Sequence, residues 1–563
     1  MEIAFPKFEY RKKLNEYQLE VLLECLEKKS GGLALPMGYG KTLLSIVLGL
    51  EQKEILKSEN PVLIVVSKTL LGSWEHEINK FFFDETAIRC KFLHQDYVKN
   101  MDTFDMDFSE YDIIVTTIDV VSRYYKKGDI DKDFVKKIVI NEGHFNQHII
   151  NRYDTPEKPY LVVNKGCYNL FSREWPCLIV DEVQKYANIE SAKCRALGAI
   201  CSTHRWALSG TIFDEPKPQK ILGYYVIIGD TTFPRTIPGT IKHIKSKKYL
   251  GYQVSTVYRN RNEAHTSKGK NETIINHKMS PEEEKLYISL KDVMMSINKE
   301  LKEFKNEGNV VQARKFASYL LAMLTYLRQS VICPLVPIAK ACLDMSDLGC
   351  KSELSVLLIA NLEKLGLKEW MNDKEATKSS RIKEIIKVVD KHKDERVILF
   401  TCFRTNLDIM KHHIDLYFPK RKTFTVTATM SSKGRKKVFD AFEETHDGIL
   451  LLTYEIGGEG LNLQASHNIL LTDFWWNDGK TQQTIARVER YGQTKEVNVY
   501  YFLSNTGIEQ AVFDKQNDKL IVLSELRTGP QKSKVKTIKV KDIIKFIDEH
   551  DNARLMGSIR TIK

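Results

Sequence analysis

The sequence predicts an α/β protein of two lobes, each a mostly parallel sheet flanked by helices. Two observations carry this expectation. Short apolar runs without alternation occur at residues 62–66, 113–115 and 177–180, and again at 397–400, 449–452 and 469–471, as expected of strands covered on both faces. Each run delivers polar residues at its C-terminal end, where parallel sheets meet their ligands. With 563 residues, the chain is also too long for a single core.

In chain order, residues 17–26 carry Tyr17, Val21, Leu22, Cys25 and Leu26 at helical spacing. The Tyr17-Gln18 pair there is suited to stacking on and hydrogen-bonding an adenine, although in isolation Gln18 reads as a surface residue of a helix. Residues 31–35 form a short apolar run, and apolar residues recur at helical spacing over 42–50. The stretch Leu35-Pro36-Met37-Gly38-Tyr39-Gly40-Lys41-Thr42 therefore sits on a strand-to-helix turn. Backbone N–H groups at such a turn point at an anion, and glycine lets the chain wrap it. Lys41 is placed to neutralise the β- and γ-phosphates of a nucleotide, and the Thr42 hydroxyl to ligate Mg²⁺. Leu35 occupies the place of the pattern's first glycine, and Gly-Lys-Thr alone is compatible with an ordinary glycine turn.

The strand at 62–66 ends in Ser67, Lys68 and Thr69, and the strand at 113–115 in Thr116 and Thr117; both ends are candidates for contacts to a phosphate backbone. Trp74, Ile78 and Phe81 mark an amphipathic helix, with Trp74 read as core. Residues 123–173, with mixed charge and scattered aromatics, read as an insertion. Asp181-Glu182-Val183-Gln184 places two acids at a strand end: Asp181 suited to holding Mg²⁺, Glu182 to polarising an attacking water. Ser209-Gly210-Thr211 gives another strand end with small hydroxyl residues.

These motifs resemble those of the SWI/SNF branch of superfamily-two helicase-like ATPases, and the resemblance spans residues 10–520. It continues through Leu327-Arg328-Gln329, Thr401 to Arg404, Thr453, the glycine-rich stretch 457–463 and the run from Gln483 to Gln493. The resemblance implies two RecA-like lobes, with ATP and Mg²⁺ as nucleotide and metal. Arg487 and Arg490, three residues apart on an expected helix, would act as arginine fingers, which accelerate phosphoryl transfer by about 10³ to 10⁵. The catalytic set is then Lys41, Glu182, Arg487 and Arg490. The nucleotide set is Tyr17, Gln18, Met37, Gly38, Tyr39, Gly40, Lys41 and Thr42, and the metal set is Thr42 and Asp181. Ser67, Lys68, Thr116, Thr211, Arg404 and Thr453 are the expected contacts to the track. Three positions depart from the pattern: Gln184 replaces a histidine, Ile212 a proline and Ala428 a glycine.

The implied organisation is an ATP-binding lobe at 1–235, a helical inter-lobe region and linker at 236–378, a helicase lobe at 379–527 and a basic tail at 528–563. Within these, Cys333 reads as a packing residue, Trp475 and Trp476 read as packing rather than base stacking, and a short helix is expected from Asp542. The implied activity is DNA-stimulated ATP hydrolysis driving movement along duplex DNA and displacement of bound protein. RNA or single strands are less favoured tracks. A transcription-associated NTPase and a strand-separating helicase are the alternatives, with a DNA-bound protein or the transcription machinery as partner.

The formal charge of +12, from 85 basic against 73 acidic residues, suits a polyanionic partner. The ten cysteines contain no Cys-x-x-Cys pair, which points away from a zinc site or disulfide framework. No apolar run approaches the roughly 18 residues of a membrane span, so a soluble intracellular protein without a membrane partner is expected. Its compactness suggests a viral genome, as of a large DNA virus, or an otherwise streamlined one; the expected location is the nucleus or, if the protein is viral, a cytoplasmic viral factory or a virion.

Overall fold

The computed structural model describes residues 11, 13–35, 39–82, 88–97, 108–126, 162–163, 168–171, 173–234, 236–259, 269–334, 337, 354, 356, 360, 363–364, 366, 379–427, 429–457, 463–476, 478–490, 493–530 and 540–556. Met37 and Gly38 of the expected nucleotide set lie outside these, as do Pro36, Ala428, most of 123–173 and much of the glycine-rich stretch 457–463. The chain divides into two units: residues 1–265 with 519–535, and 266–518 with 536–563.

The first unit is built on β1 (Gly31–Ala34), β2 (Val62–Val66), β3 (Cys90–Leu93), β4 (Ile113–Thr117), β5 (Trp175–Val180), β6 (Ser202–Ser209) and β7 (Thr256–Tyr258). Their order is β3-β4-β2-β5-β6-β1-β7, every neighbouring pair parallel. Strand period two sorts the apolar runs onto opposite faces. Leu63, Val65, Ile114, Leu178 and Val180 enter one core with α5 (Ala192–Ala199) and α6 (Pro218–Ile227). Val62, Ile64, Val66, Ile113 and Ile179 enter the other with α1 (Glu16–Lys28), α2 (Lys41–Ile55) and α3 (Leu71–Phe82). Both faces are therefore filled, which is why these runs do not alternate. α4 (Ile118–Tyr124) follows β4 directly, its N-terminus capped by the Thr117 side chain. Gly223 lets α6 approach the chain at Ala187, since a Cβ there would lie 1.6 Å from the Ala187 carbonyl oxygen. The short helix α7 (Ile237–Ile244) completes the unit's helices up to β7.

Two buried charges brace this unit. Arg205 donates to the Ile227, Ile200 and Leu197 carbonyls at 2.7, 2.6 and 2.7 Å. Arg11 forms a bidentate pair with the buried Glu51 carboxylate, both contacts at 2.7 Å, a geometry that offsets the desolvation of the acid.

The second unit contains β8 (Lys270–His277), β9 (Val397–Thr401), β10 (Thr423–Val426), β11 (Ile449–Thr453), β12 (Asn468–Leu471) and β13 (Val497–Ser504). These run β8-β13-β12-β9-β11-β10, again with every pair parallel. A helical hairpin precedes β9, formed by α8 (Pro281–Asn306) and α9 (Val310–Ser330). Ser280 and Glu283 form a capping box at the start of α8, with Pro281 in the first turn, a combination that satisfies end donors without breaking the helix.

Helices α10 (Ser380–Lys391), α11 (Arg404–Tyr417), α12 (Ser432–Glu444), α13 (Asp478–Val488), α14 (Gly507–Thr528) and α15 (Val540–Leu555) complete the unit, apart from the C-terminal part of α14, which belongs to the first. The expected short helix after the basic run is thus the sixteen-residue α15. Its Ile544 and Ile547 are fully buried against the hairpin.

The expected fold class holds: two parallel sheets flanked by helices, with the α8–α9 hairpin between β8 and β9 in chain order. Among the described residues no helix is long and apolar enough to cross a membrane, and the described cysteines are unbridged.

Candidate active site

The expected nucleotide-binding residues of the first unit begin at the turn between β1 and α2. Gly40 adopts a left-handed conformation, φ +70°, which glycine enters without steric cost. It starts a helix whose first N–H groups have no acceptor within the helix. Lys41 is the first helical residue, and its Nζ donates to the Leu35 carbonyl at 2.8 Å, so the ammonium spans the turn. Thr42 follows in the same helical turn.

Gln18 is positioned from α1. Its Oε1 accepts from the Asn15 N–H at 3.1 Å while Asn15 Oδ1 accepts from the Gln18 N–H at 2.9 Å, the reciprocal box that starts α1. Its Nε2 reaches the Tyr39 carbonyl at 3.3 Å. The Tyr17 and Tyr39 rings are tilted, their centroids 6.0 Å apart. The described part of the expected nucleotide set is therefore one contiguous group.

The acids lie at the end of β5, two strands from β1. Asp181 Oδ2 accepts from the Trp74 indole at 3.0 Å, and Oδ1 from the Glu182 N–H at 2.8 Å. Burial, together with the neighbouring Glu182 charge, pushes the Asp181 carboxyl above its ordinary value, against the Trp74 hydrogen bond and the Lys41 charge. That opposition shows Lys41 and Asp181 within electrostatic reach of each other. Among the described residues Glu182 is one of three non-glycine residues with positive φ, here 52°, a conformation that costs energy and clusters at functional sites. Its Oε2 accepts a hydrogen bond from the Gln184 amide.

These residues fit Mg²⁺ that arrives with a nucleotide. Each Asp181 oxygen keeps acceptor capacity beyond its one hydrogen bond, and the adjacent acids are only partly balanced by Lys41. Among the described residues no group of three or more His, Cys, Asp or Glu could hold a metal.

The other strand ends differ from one another. Ser67 and Thr69 hydroxyls lie 3.0 Å apart, and Lys68 pairs loosely with Asp96 at 3.8 Å, both side chains more than half exposed. Thr116, expected to face the track, is fully buried, and its hydroxyl donates to the Leu93 carbonyl at 2.9 Å; it ties β4 to β3 and presents nothing outward. Thr211 is exposed, just beyond a tight Ser209 turn in which its N–H donates to Ser209 Oγ at 2.9 Å.

In the second unit, α13 ends at Val488, so Arg490 lies beyond the helix and does not share a helical face with Arg487. Arg487 is buried on the last turn, and Arg490 is half-buried in the following bend. The cause is Gln493, whose Nε2 donates to the Gln464, Ser466 and Val488 carbonyls at 3.3, 3.1 and 3.3 Å and so folds the chain back after the helix.

Asp473 is a hub that sequence reasoning passed over. It accepts from the Thr401 hydroxyl at 2.5 Å and the Cys402 N–H at 2.8 Å, and its carbonyl accepts from Tyr454 at 2.7 Å. Burial raises its carboxyl, with the Cys402 and Thr401 hydrogen bonds opposing. Arg404 is exposed at the start of α11, and Thr453 is half-buried beside Thr401 in the sheet. The tryptophan faces carry cations: Lys480 lies 4.2 Å from Trp475, and Arg328 and Lys515 lie 5.3 and 4.9 Å from Trp476. Cys333 is fully buried beside Ile332 and Ile382, as its packing reading expects.

Comparison with known proteins fits this arrangement. The SNF2-related domain matches residues 15–216, and the helicase conserved C-terminal domain matches residues 377–492. Protein 172L of Invertebrate iridescent virus 6, named as a helicase, is 26% identical over 524 residues, 86% of this chain and 83% of that protein. The DNA repair and recombination protein RAD26 of Saccharomyces cerevisiae is 22% identical, and the ISWI chromatin-remodeling complex ATPase ISW2 of the same yeast 23%. The chain aligns over 99% and 92% of its own length with these, but spans only 49% and 41% of theirs. Among solved structures, the Sulfolobus solfataricus SWI2/SNF2 ATPase core in complex with dsDNA aligns over 95% of this chain and 99% of that one, with 19% identity and a TM-score of 0.36. With both domains in order along the chain, the protein belongs to the SNF2-type helicase-like ATPases of superfamily two.

Proposed function

We propose that this ATP-hydrolysing, helicase-like enzyme is a DNA-stimulated translocase that moves along duplex DNA and remodels or displaces protein bound there. The observation that carries the reading is the gathering of Gln18, Lys41, Asp181 and Glu182 at one end of the first sheet. Gln18 and Tyr17 hold the base. The first N–H groups of α2 and the Lys41 ammonium hold the phosphates, for which Lys41 exchanges the Leu35 carbonyl. Thr42 and Asp181 are the residues that would hold Mg²⁺, which supplies charge neutralisation at the phosphates when bound.

Glu182, its side chain aimed by a left-handed backbone, accepts a proton from the attacking water. Arg487 and Arg490 are the residues that would stabilise the charge developing on the transferred phosphoryl group. Ser67, Lys68, Thr211, Arg404 and Thr453 remain candidates for contacts to the nucleic-acid backbone, and Thr116 does not. Likeness to ISW2 and RAD26, named for chromatin remodeling and for DNA repair, supports DNA as the track, as does the charge of +12. The likeness to an iridescent-virus protein supports a viral setting.

The test is steady-state ATP hydrolysis without nucleic acid and with single-stranded DNA, duplex DNA or RNA, with Glu182→Gln and Arg490→Ala as controls. The reading expects strong stimulation by duplex DNA that both substitutions abolish. Stimulation by RNA or single strands alone would replace it with a strand-directed or transcription-associated NTPase.

A further inference from the structure

The buried amide of Gln184 lies against the acid that the proposed mechanism uses as base. Gln184 is on the short 3-10 turn Val183–Lys185, which begins as soon as the left-handed Glu182 reverses the chain. That reversal folds the Gln184 side chain back onto Glu182, and its Nε2 donates to Glu182 Oε2. Both side chains are more than nine-tenths buried. The other end of the same amide, Oε1, has no hydrogen-bond partner among the described residues. A buried acceptor left open destabilises the fold, so packing alone does not account for a glutamine here.

We infer that Gln184 is a positioning residue for hydrolysis: its amide N–H fixes one oxygen of the Glu182 carboxylate, so that the other stays directed at the attacking water. The inference rests on the reading of Glu182 as the base. A carboxylate on a strained backbone, with its charge beside that of Asp181, has a strong electrostatic reason to swing away. A charge-assisted hydrogen bond from a neutral, non-titrating amide restrains it without adding a competing charge. Ordinary residue-by-residue reading of Asp-Glu-Val-Gln does not reveal this, because it requires the left-handed turn at Glu182.

Gln184→Met keeps the length and burial of the side chain and removes the donor, whereas Gln184→His restores an N–H. For Gln184→Met the expected result is kcat lower by about 10- to 100-fold, the rate equivalent of one hydrogen bond to a charged group. KM for ATP should stay within about twofold, because only a transition-state interaction is lost. Gln184→His should recover most of kcat. In single-turnover hydrolysis the two effects should not add: on a Glu182→Gln background, Gln184→Met should change the rate little.

Unchanged kcat in Gln184→Met with Glu182→Gln inactive would overturn this inference and leave the reading of Glu182 standing. Full activity in Glu182→Gln would overturn both. A fall in kcat with an equal fall on the Glu182→Gln background, or a matching rise in KM, would assign Gln184 a role in folding or ATP binding and overturn the inference as well.

Discussion

The Trp74 indole and the Asp181 carboxylate meet at 3.0 Å across 107 residues of sequence, both buried. The contact places a neutral donor against an acid whose charged form burial disfavours, and so favours the charged form that the proposed Mg²⁺-holding role requires. Trp74→Phe keeps the ring and removes the donor. The buried carboxylate then loses one of its two hydrogen bonds, which should lower the stability of the unliganded protein by about 1–3 kcal/mol. The Mg²⁺ concentration needed for half-maximal ATP hydrolysis should rise, because the acid is harder to ionise. A Mg²⁺ titration of the two proteins decides this; coincident curves would show that Trp74 serves packing only.

Gly40 is constrained twice. Its φ of +70° disfavours a side chain, and a Cβ there would lie 2.2 Å from Gln18 Nε2. Gly40→Ala should therefore cost roughly 1–2 kcal/mol for the backbone, displace Gln18 from the Tyr39 carbonyl, and raise KM for ATP more than it lowers kcat. Adding Gln18→Ala removes the collision but not the strain, so it should recover part of the lost stability and none of the ATP affinity. Thermal melts with and without ATP on the single and double variants give both quantities.

The sheets were legible because buried parallel strands write their burial directly into the sequence: at 62–66 and 449–452 every residue is apolar and both faces are covered. β8 was not read, because this edge strand exposes Asn271, Glu272 and Thr273 and carries no such run. Lys41, Asp181 and Glu182 were placed by local motifs at strand ends. The Trp74, Gln493 and Asp473 contacts, in contrast, join residues far apart in sequence, and no local pattern announces them. Arg490 shows the same limit: three-residue spacing implies one helical face only while the helix lasts, and here Gln493 collects three carbonyls and ends it.

His277 supplies a pH test within the second unit. Burial, with the Arg381 charge beside it, lowers its pKa to about 2, and its Nε2 accepts from Arg381 Nε at 3.3 Å. The folded chain keeps this imidazole neutral while the unfolded chain protonates it near 6.5. Below that pH the unfolded state binds the extra proton, so stability present above 6.5 is lost as pH falls toward 2. At pH 5 the loss should be about 2 kcal/mol. His277→Gln, which keeps an acceptor and cannot titrate, should flatten this part of the pH profile. Equal slopes between pH 7.5 and 5 in denaturant titrations of the two proteins would show that His277 is charged in the fold.

Asp551, on α15, closes the second unit from the far end of the chain. Its Oδ1 accepts from the Gly507 N–H at 2.8 Å, at the first residue of α14, and its Oδ2 from the Tyr287 hydroxyl of α8 at 2.8 Å. Burial pushes the carboxyl up, but His550, the Gly507 amide, Tyr287 and Arg554 outweigh it and hold the group below its ordinary value. One carboxylate thus caps α14 and ties three helices together, with no space for a larger residue at Gly507, where a Cβ would meet the Ile547 carbonyl at 2.8 Å.

Asp551→Ala strands two buried donors and should cost roughly 3 kcal/mol, whereas Tyr287→Phe removes one partner and should cost about 1 kcal/mol. The two losses overlap at the Asp551 carboxylate, while the Tyr287 hydroxyl also accepts from the Ile508 N–H at 3.3 Å, so the double variant should be less stable than Asp551→Ala by less than the full cost of Tyr287→Phe. Urea denaturation of the three proteins measures this. Additive losses would mean that Tyr287 and Asp551 stabilise the fold independently and that the carboxylate is not the joint between the helices.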